Sequence, residues 1–169
     1  MTRTTAREIA LQLGFSLVMC EEFPENILEE FFEQEHYASL AGESKLFAEY
    51  PDEQQMAYIH RLVKLIFDHR VRLDAYIEQY ARGWKVERIS KTATAIMRCA
   101  MCEVLFMDDI PNAAAINEAV ELAKGYEDSD VVAFINGVLG GFMRGELGRE
   151  EPVTAAAAQE DAAEETNEE

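Results

Sequence analysis

The sequence predicts an all-α protein with about seven helices and a break near residue 75. Apolar residues recur at spacings of three and four through almost the whole chain, which is the period of a buried helical stripe. Prolines and glycines stand where these stripes begin and end. No segment shows the alternation of apolar and polar residues that is typical of a half-buried strand. At 169 residues, the chain is long enough for one domain, or for one domain with a tail.

A capping box predicts the start of the first helix. Thr5 and Glu8 have the spacing at which two side chains bond the free N–H groups of a helix start. The apolar residues that follow form one stripe: Ala6, Ile9, Ala10, Leu13 and Leu17. Pro24 suits a first helical position and predicts a second helix, followed by a connecting loop over residues 38–51.

The middle of the chain predicts a long helix and a close-packed one. After Pro51, the helical stripe consists of Met56, Ile59, Val63, Ile66 and Leu73. This helix either continues or kinks into the segment with Ile77 and Tyr80, and ends near Gly83. The next stripe contains small alanines that permit close helix approach: Ile89, Ala93, Ile96, Ala100 and Val104.

Two further helices complete the prediction. Pro111 suits the start of the first and Gly125 its end, and Asp128 or Ser129 caps the second. This last helix contains the segment 134–140, FINGVLG, whose apolar spacing is helical although Asn-Gly usually marks a turn. A glycine inside a helix costs on the order of 1 kcal/mol against alanine, so Gly137 needs a packing or functional reason.

The charge is acidic and unevenly distributed. The chain has a net charge of −18, and residues 150–169 hold eight acids and no base. We therefore expect residues 149–169 to form a disordered acidic tail. Residues 1–149 still hold 25 acids against 15 bases, a net of −10, which counts against tight charge-driven binding to nucleic acid.

Neither a membrane protein nor a disulfide-stabilised one is predicted. The chain has no apolar run of membrane-spanning length, and its first ten residues read as amphipathic helix rather than as a secretory leader. Three cysteines are an odd number, which argues against a disulfide framework. We expect a cytoplasmic protein without membrane contact.

No enzyme chemistry is predicted. Cys99 and Cys102 form a CxxC in mid-helix with no strand before it, so we expect buried apolar cysteines rather than a redox pair. The three histidines have no ligand spacing, and no glutamate is paired with a recognisable nucleophile or base. We expect no catalytic residue, no metal site and no cofactor.

The basic residues are more informative by position than by number. Four cations surround Trp84: Arg82, Lys85, Arg88 and Lys91. On composition alone, this pattern favours a tryptophan that fills a gap in the core, with cations that solvate a turn. Arg98 lies in an apolar stripe and is expected to pair with Glu103 or Glu118.

Several segments together have the order and spacing of motifs known from one protein family. They are AREIALQL at 6–13, the run from Trp84 to Phe106, IPNAAAINEAVELAKGY at 110–126 and FINGVL at 134–139. These segments resemble the N-utilization substance protein B (NusB) family of transcription antitermination factors. The resemblance covers residues 3–145.

The resemblance implies a fold and a function. Members are all-helical and built from two small bundles, which here would span about 1–74 and 75–148 of a domain at 1–148. They bind the boxA element of ribosomal RNA leader transcripts together with the ribosomal protein NusE. Within the transcription elongation complex they support processive antitermination by RNA polymerase. Whether this chain is a monomer or a homodimer is left open.

The resemblance and the residue types together give the RNA-facing candidates: Arg3, Arg7, Lys85, Arg88, Tyr126, Asp130 and Phe134. Arg3 and Arg7 bracket the start of the first helix and would contact phosphates. Tyr126 and Phe134 would offer stacking faces to unpaired bases, with Asp130 at the edge of the same site. The spacing of Phe134 fits a core position equally well.

Two places depart from the family pattern. Positions 4 and 5 are threonines where members carry arginines, and residues 131–133 are apolar where members often carry basic residues. Both places lie where the family meets RNA, so phosphate contacts are lost. A second hypothesis is therefore a protein-interaction module that keeps the NusE contact with weakened RNA binding. We also predict that Gly137 lets a neighbouring helix approach, and that Asn136 bonds a helix end or Glu118.

Overall fold

The computed structural model describes residues 1–20 and 23–148, which form seven α-helices and contain no strand. The helices are α1 (Arg3–Cys20), α2 (Pro24–Phe31), α3 (Gln34–Leu40), α4 (Glu53–Tyr80), α5 (Lys91–Phe106), α6 (Asn112–Tyr126) and α7 (Ser129–Leu147), with short 3-10 turns at Lys45–Phe47 and Val86–Arg88. The all-α prediction is confirmed. The predicted disordered tail, 149–169, lies outside the described residues. No helix in the described ranges has both the length and the apolar character needed to cross a membrane.

Most helix starts follow the local sequence signals. Pro24 opens α2 as predicted. At the start of α4, Asp52 accepts a hydrogen bond from the Gln55 N–H at 2.9 Å, and the Gln55 side chain accepts one from the Asp52 N–H at 2.8 Å. Asp128 caps α7 by accepting from the Val131 N–H at 3.1 Å. These bonds satisfy N–H groups that would otherwise lack partners.

The predicted cap of the first helix is wrong by one turn. The Thr2 hydroxyl accepts a hydrogen bond from the Thr5 N–H at 3.1 Å, and α1 begins at Arg3. Thr5 therefore lies inside the helix. The predicted loop over 38–51 is also only partly a loop, because the separate helix α3 extends to Leu40 and a 3-10 turn follows.

The long helix α4 is continuous over 28 residues. It packs against α1, α2, α5 and α7, so both halves of the chain are built on it. The division into bundles at about residue 75 stays a prediction, and such a boundary would lie within this unbroken helix.

The helix α5 lies at the centre of the core, and all its residues from Ala93 to Val104 are buried. A helix that is apolar on nearly every side is expected to be enclosed by others. Cys99 and Cys102 are both buried here, as predicted. Burial raises the pKa of both thiols, that of Cys102 to about 12, because a thiolate loses its hydration inside the core.

Arg98 is paired, but its partner differs from both carboxylates that the sequence suggested. Its Nε and Nη2 atoms donate to the two carboxylate oxygens of Asp74 on α4, at 2.7 and 2.9 Å. Residue 98 faces α4, whereas Glu103 and Glu118 bind Arg7 of α1. This two-bond pair joins α5 to the second half of α4.

Gly137 does not serve close helix packing, so that explanation is wrong. The residue is exposed, and a Cβ atom added to it would meet no neighbouring atom within 4 Å. The close approach occurs further along α7, where an added Cβ would lie 3.4 Å from Tyr80 Cδ1 at Gly141 and 2.1 Å from the Tyr80 hydroxyl oxygen at Gly145. Asn136 is exposed too.

Candidate nucleic-acid interface

The structure separates the predicted RNA-facing residues into different places. Arg88, Asp130 and Phe134 line one cavity, and Lys85 lies in the same connecting segment between α4 and α5. Arg3 is exposed at the start of α1, and Tyr126 lines a cavity with residues of α1 and α5. The seventh residue, Arg7, is buried.

Arg7 is held inside the protein by two carboxylates. Its side chain is 3% exposed. Its Nε atom donates to both oxygens of Glu103, at 3.0 and 3.1 Å, and its Nη1 atom donates to Glu118 at 3.2 Å. The predicted phosphate contact of Arg7 is therefore wrong, because the guanidinium is enclosed and occupied.

The Arg7 network is a buried charged cluster that joins four helices. Glu103 of α5 is fully buried and also accepts a hydrogen bond from the Tyr58 hydroxyl of α4. Burial raises the pKa of Glu103, while Arg7 and Tyr58 act to lower it. Burial lowers the pKa of Arg7, but the Glu103 carboxylate, which also accepts its hydrogen bonds, raises it by more. The cluster fixes the start of α1 against α4, α5 and α6.

Arg3 is the available cation at this end of the molecule. It is exposed, and its guanidinium carbon lies 5.5 Å from the centre of the Tyr58 ring. It lines a cavity of about 180 Å³ together with Asp52 and Gln55 of α4. Within the described part of the chain it forms no ion pair, so its guanidinium can meet a phosphate.

A groove at the other end of the molecule contains two aromatic rings. Trp84 is 53% exposed, and its ring centre lies 6.2 Å from that of Phe134 at an interplanar angle of 67°. One side of the pair is a cavity of about 300 Å³ that Arg88 and Asp130 also line. A second cavity, which Trp84 and Phe134 also line, extends along α7 past Gly137. We call these two cavities the Trp84–Phe134 groove.

Trp84 is therefore not the core residue that composition favoured. Phe134 agrees with both interpretations of its spacing, because it is half-buried, packs against the core and lines the groove. Sequence reasoning missed Trp84 as a functional candidate. The signal was the set of four cations near it in the sequence, at positions 82, 85, 88 and 91.

The segment between α4 and α5 positions Trp84 and its cations. Arg82 and Gly83 both have left-handed backbone conformations, with φ of 46° and 95°, and they end α4. A 3-10 turn follows, and its Val86 N–H donates to Glu78 at 3.2 Å. Lys85 lies 3.9 Å from the same Glu78, so part of its charge is already balanced. Arg88 is exposed and has no ion pair among the described residues.

Tyr126 faces a different part of the surface. Its hydroxyl donates to Glu8 at 2.5 Å and accepts from Gln12 at 3.2 Å, which joins the end of α6 to α1. Burial and the Glu8 carboxylate raise the pKa of Tyr126. The ring is 41% exposed beside this acidic group. Its stacking role stays a prediction.

The chain is similar to known proteins along most of its length. The model of the NusB family matches residues 4–144. The transcription antitermination protein NusB of Symbiobacterium thermophilum is 36% identical over 148 residues, which are 88% of this chain and 93% of that protein. The protein of the same name from Acetivibrio thermocellus is 37% identical over 147 residues, with 87% and 92% covered.

Solved structures show the same fold. NusB of T. maritima superposes with a TM-score of 0.69 at 25% sequence identity, over 90% of this chain and 94% of that one. NusB from Aquifex aeolicus superposes with a TM-score of 0.65 at 20% identity, over 92% and 97%.

Proposed function

Because the chain belongs to the NusB family of transcription antitermination factors, we propose that it binds boxA-type RNA of ribosomal RNA leader transcripts together with the ribosomal protein NusE. The observation that carries the RNA part is the exposed aromatic pair beside a local cluster of cations. Such a surface suits single-stranded RNA, whose unpaired bases stack on rings while the phosphates meet arginines.

The RNA-facing residues differ from the set that the sequence suggested. Arg3 contacts phosphate at the start of α1, and Arg88 and Lys85 do so beside the groove. Phe134 contributes a stacking face, with Asp130 at its edge. Arg7 supports the site indirectly, because its buried ion pairs hold the first turn of α1, and therefore Arg3, in place.

The charge of the chain makes NusE necessary for tight binding. Few cations are available to this RNA surface, and the described body is acidic. Each phosphate contact contributes about −0.7 to the slope of log affinity against log salt for single strands, so the slope for this chain alone is shallow. NusE adds contacts of its own, which makes RNA and NusE binding mutually favourable. The assembly acts within the transcription elongation complex.

The test is a gel shift with boxA RNA, in the presence and absence of NusE. We expect weak binding with a shallow salt slope by the chain alone and much tighter binding when NusE is added. Arg3→Ala and Arg88→Ala should weaken the complex, whereas Arg70→Ala, which removes another exposed arginine, from α4, should not. Tight RNA binding by the chain alone with a steep salt slope would contradict the electrostatic reasoning.

The burial of Arg7 and the acidic body favour a second candidate function. In this candidate, the chain is a protein-interaction module that binds NusE and has weak affinity for RNA. A pull-down that captures NusE without RNA, together with a boxA affinity that NusE leaves unchanged, would support this module over the RNA-binding factor.

A further inference from the structure

Nothing in the described fold requires a glycine at position 137. It lies in the interior of α7, where glycine is destabilising relative to alanine. It is exposed, its φ is ordinary for a helix, and a Cβ atom would meet nothing within 4 Å. It does line the Trp84–Phe134 groove. An open glycine in a groove wall suits a ligand whose backbone passes close to the helix.

Trp84 is exposed without any packing reason as well. About half of this large apolar side chain remains in water, and the fold gains no stability from that exposure. The turn before it contains Arg82 at a φ of 46°, a conformation that side-chain-bearing residues rarely adopt. Strained backbone of this kind concentrates at binding sites, where the surrounding structure maintains it.

The charges around the groove favour a polyanion. Among the described residues, the charged side chains that line the groove are three arginines, Arg82, Arg88 and Arg144, and one acid, Asp130, in a chain whose net charge is −18. The apolar walls would also accept the face of a partner helix. An aromatic pair ringed by arginines, however, matches the alternation of base and phosphate in single-stranded nucleic acid.

We propose that one unpaired base of the bound RNA stacks on the indole of Trp84, with its edge against Phe134, while the sugar–phosphate backbone crosses α7 over Gly137. The inference rests on the proposed RNA-binding function and adds Trp84 and Gly137 to its site. The steep angle between the two rings, 67°, leaves one broad stacking face, that of the indole. Arg82 and Arg88 stand on either side of Trp84 along the segment and meet the flanking phosphates.

Trp84 is the only tryptophan of the chain, so its fluorescence reports the groove directly. Single-stranded boxA RNA is titrated into the full chain with NusE, and Trp84→Phe serves as the background for any fluorescence of NusE. We expect RNA to quench the emission of Trp84. Trp84→Ala should lower RNA affinity by about 5- to 140-fold, the range for loss of one stacked base, and Trp84→Phe should retain most of it.

Gly137→Ala should change thermal stability and RNA affinity in opposite directions. It should raise the melting temperature by about 2–4 °C, because alanine is the better helix former. It should nevertheless weaken RNA binding, because the new methyl group stands in the path of the RNA backbone. Gly125→Ala is the matched control: this glycine is also helical, exposed and without neighbours within 4 Å, but lies outside the groove. It should leave RNA affinity unchanged.

The outcomes distinguish this inference from the function on which it rests. RNA that binds without quenching Trp84, and with equal affinity for Gly137→Ala, would overturn the stacking site and leave the proposed function standing. Absence of RNA binding even with NusE would overturn the proposed function itself. If NusE without RNA quenches Trp84, and Trp84→Ala loses NusE, the groove is a protein interface and the inference is wrong.

Discussion

Replacing Arg7 by alanine is expected to destabilise the fold rather than merely remove an RNA contact. The substitution leaves Glu103, which is fully buried, without its main counter-charge, and it also removes a bond to Glu118. Breaking a buried ion pair in this way costs about 3–5 kcal/mol. A chain of this length loses roughly 2–4 °C per kcal/mol, so the melting temperature should fall by about 6–20 °C. That loss is a large fraction of the stability of a typical domain, which is about 5–15 kcal/mol.

Thermal melts followed by circular dichroism at a fixed pH provide the measurement. Arg3→Ala is the matched control, because it removes the same residue type from the same helix at an exposed position. It should melt with the wild type and bind RNA more weakly. The double variant Arg7→Met, Glu103→Leu should recover much of the lost stability, because no buried charge is then left unpaired.

An Arg7→Ala variant that melts with the wild type would refute the reasoning. Glu103 would then lie in surroundings that hydrate a lone carboxylate, and Arg7 would again be a candidate for phosphate contact. A double variant no more stable than Arg7→Ala would show instead that the unpaired charge does not carry the effect, because methionine keeps the arginine stem contacts and no buried charge remains.

Four further outcomes are expected. Arg98→Met should retain more thermal stability than Arg98→Ala, because methionine keeps the buried stem contacts; identical melts of both variants and wild type would contradict this. Gly145→Ala should lower the melting temperature more than Gly141→Ala, because its Cβ would collide with a tyrosine hydroxyl. The unfolding free energy should fall as pH rises from about 8.5 towards 12. The buried thiol of Cys102 has a raised pKa, so the unfolded chain releases this proton at a lower pH than the folded chain does. Replacing that cysteine by alanine should flatten the pH dependence. Deleting residues 150–169 should leave the melting temperature nearly unchanged and strengthen RNA binding at low salt only, because eight acidic charges are removed.

The helices could be predicted because their signals are local. Pro24, Pro111 and Asp128 act on the turn in which they stand, and the apolar stripes repeat over a few residues. The burial of Cys99 and Cys102 in α5 could also be predicted from composition, because a helix that is apolar on nearly every side is enclosed by other helices. The error at Thr5 was also local, because Thr2 offers a competing cap three residues earlier.

The site could be predicted only in part, because burial of a polar residue depends on distant partners. Arg7 and Glu103 are 96 residues apart, and nothing near Arg7 in the sequence shows that a carboxylate awaits it. The burial predicted for Trp84 was wrong because a local turn, rather than a distant partner, decides its exposure. Large aromatic residues are usually buried, and its exposure follows from a left-handed turn that begins at Arg82, a residue type that does not predict one.

Because α4 is unbroken, it fixes the distance between the two ends of the molecule. Tyr58, beneath Arg3, and Tyr80, beside the Trp84–Phe134 groove, lie on the same helix, and their axial separation is about 33 Å at 1.5 Å per residue. The helix is continuous between them, so the two ends proposed to face RNA keep one spacing and one relative rotation. Inserting a single residue in mid-helix would lengthen the span by only about 1.5 Å, yet it would turn one end by about 100° against the other. Such an insertion would therefore change the relative orientation of the two ends much more than the distance between them.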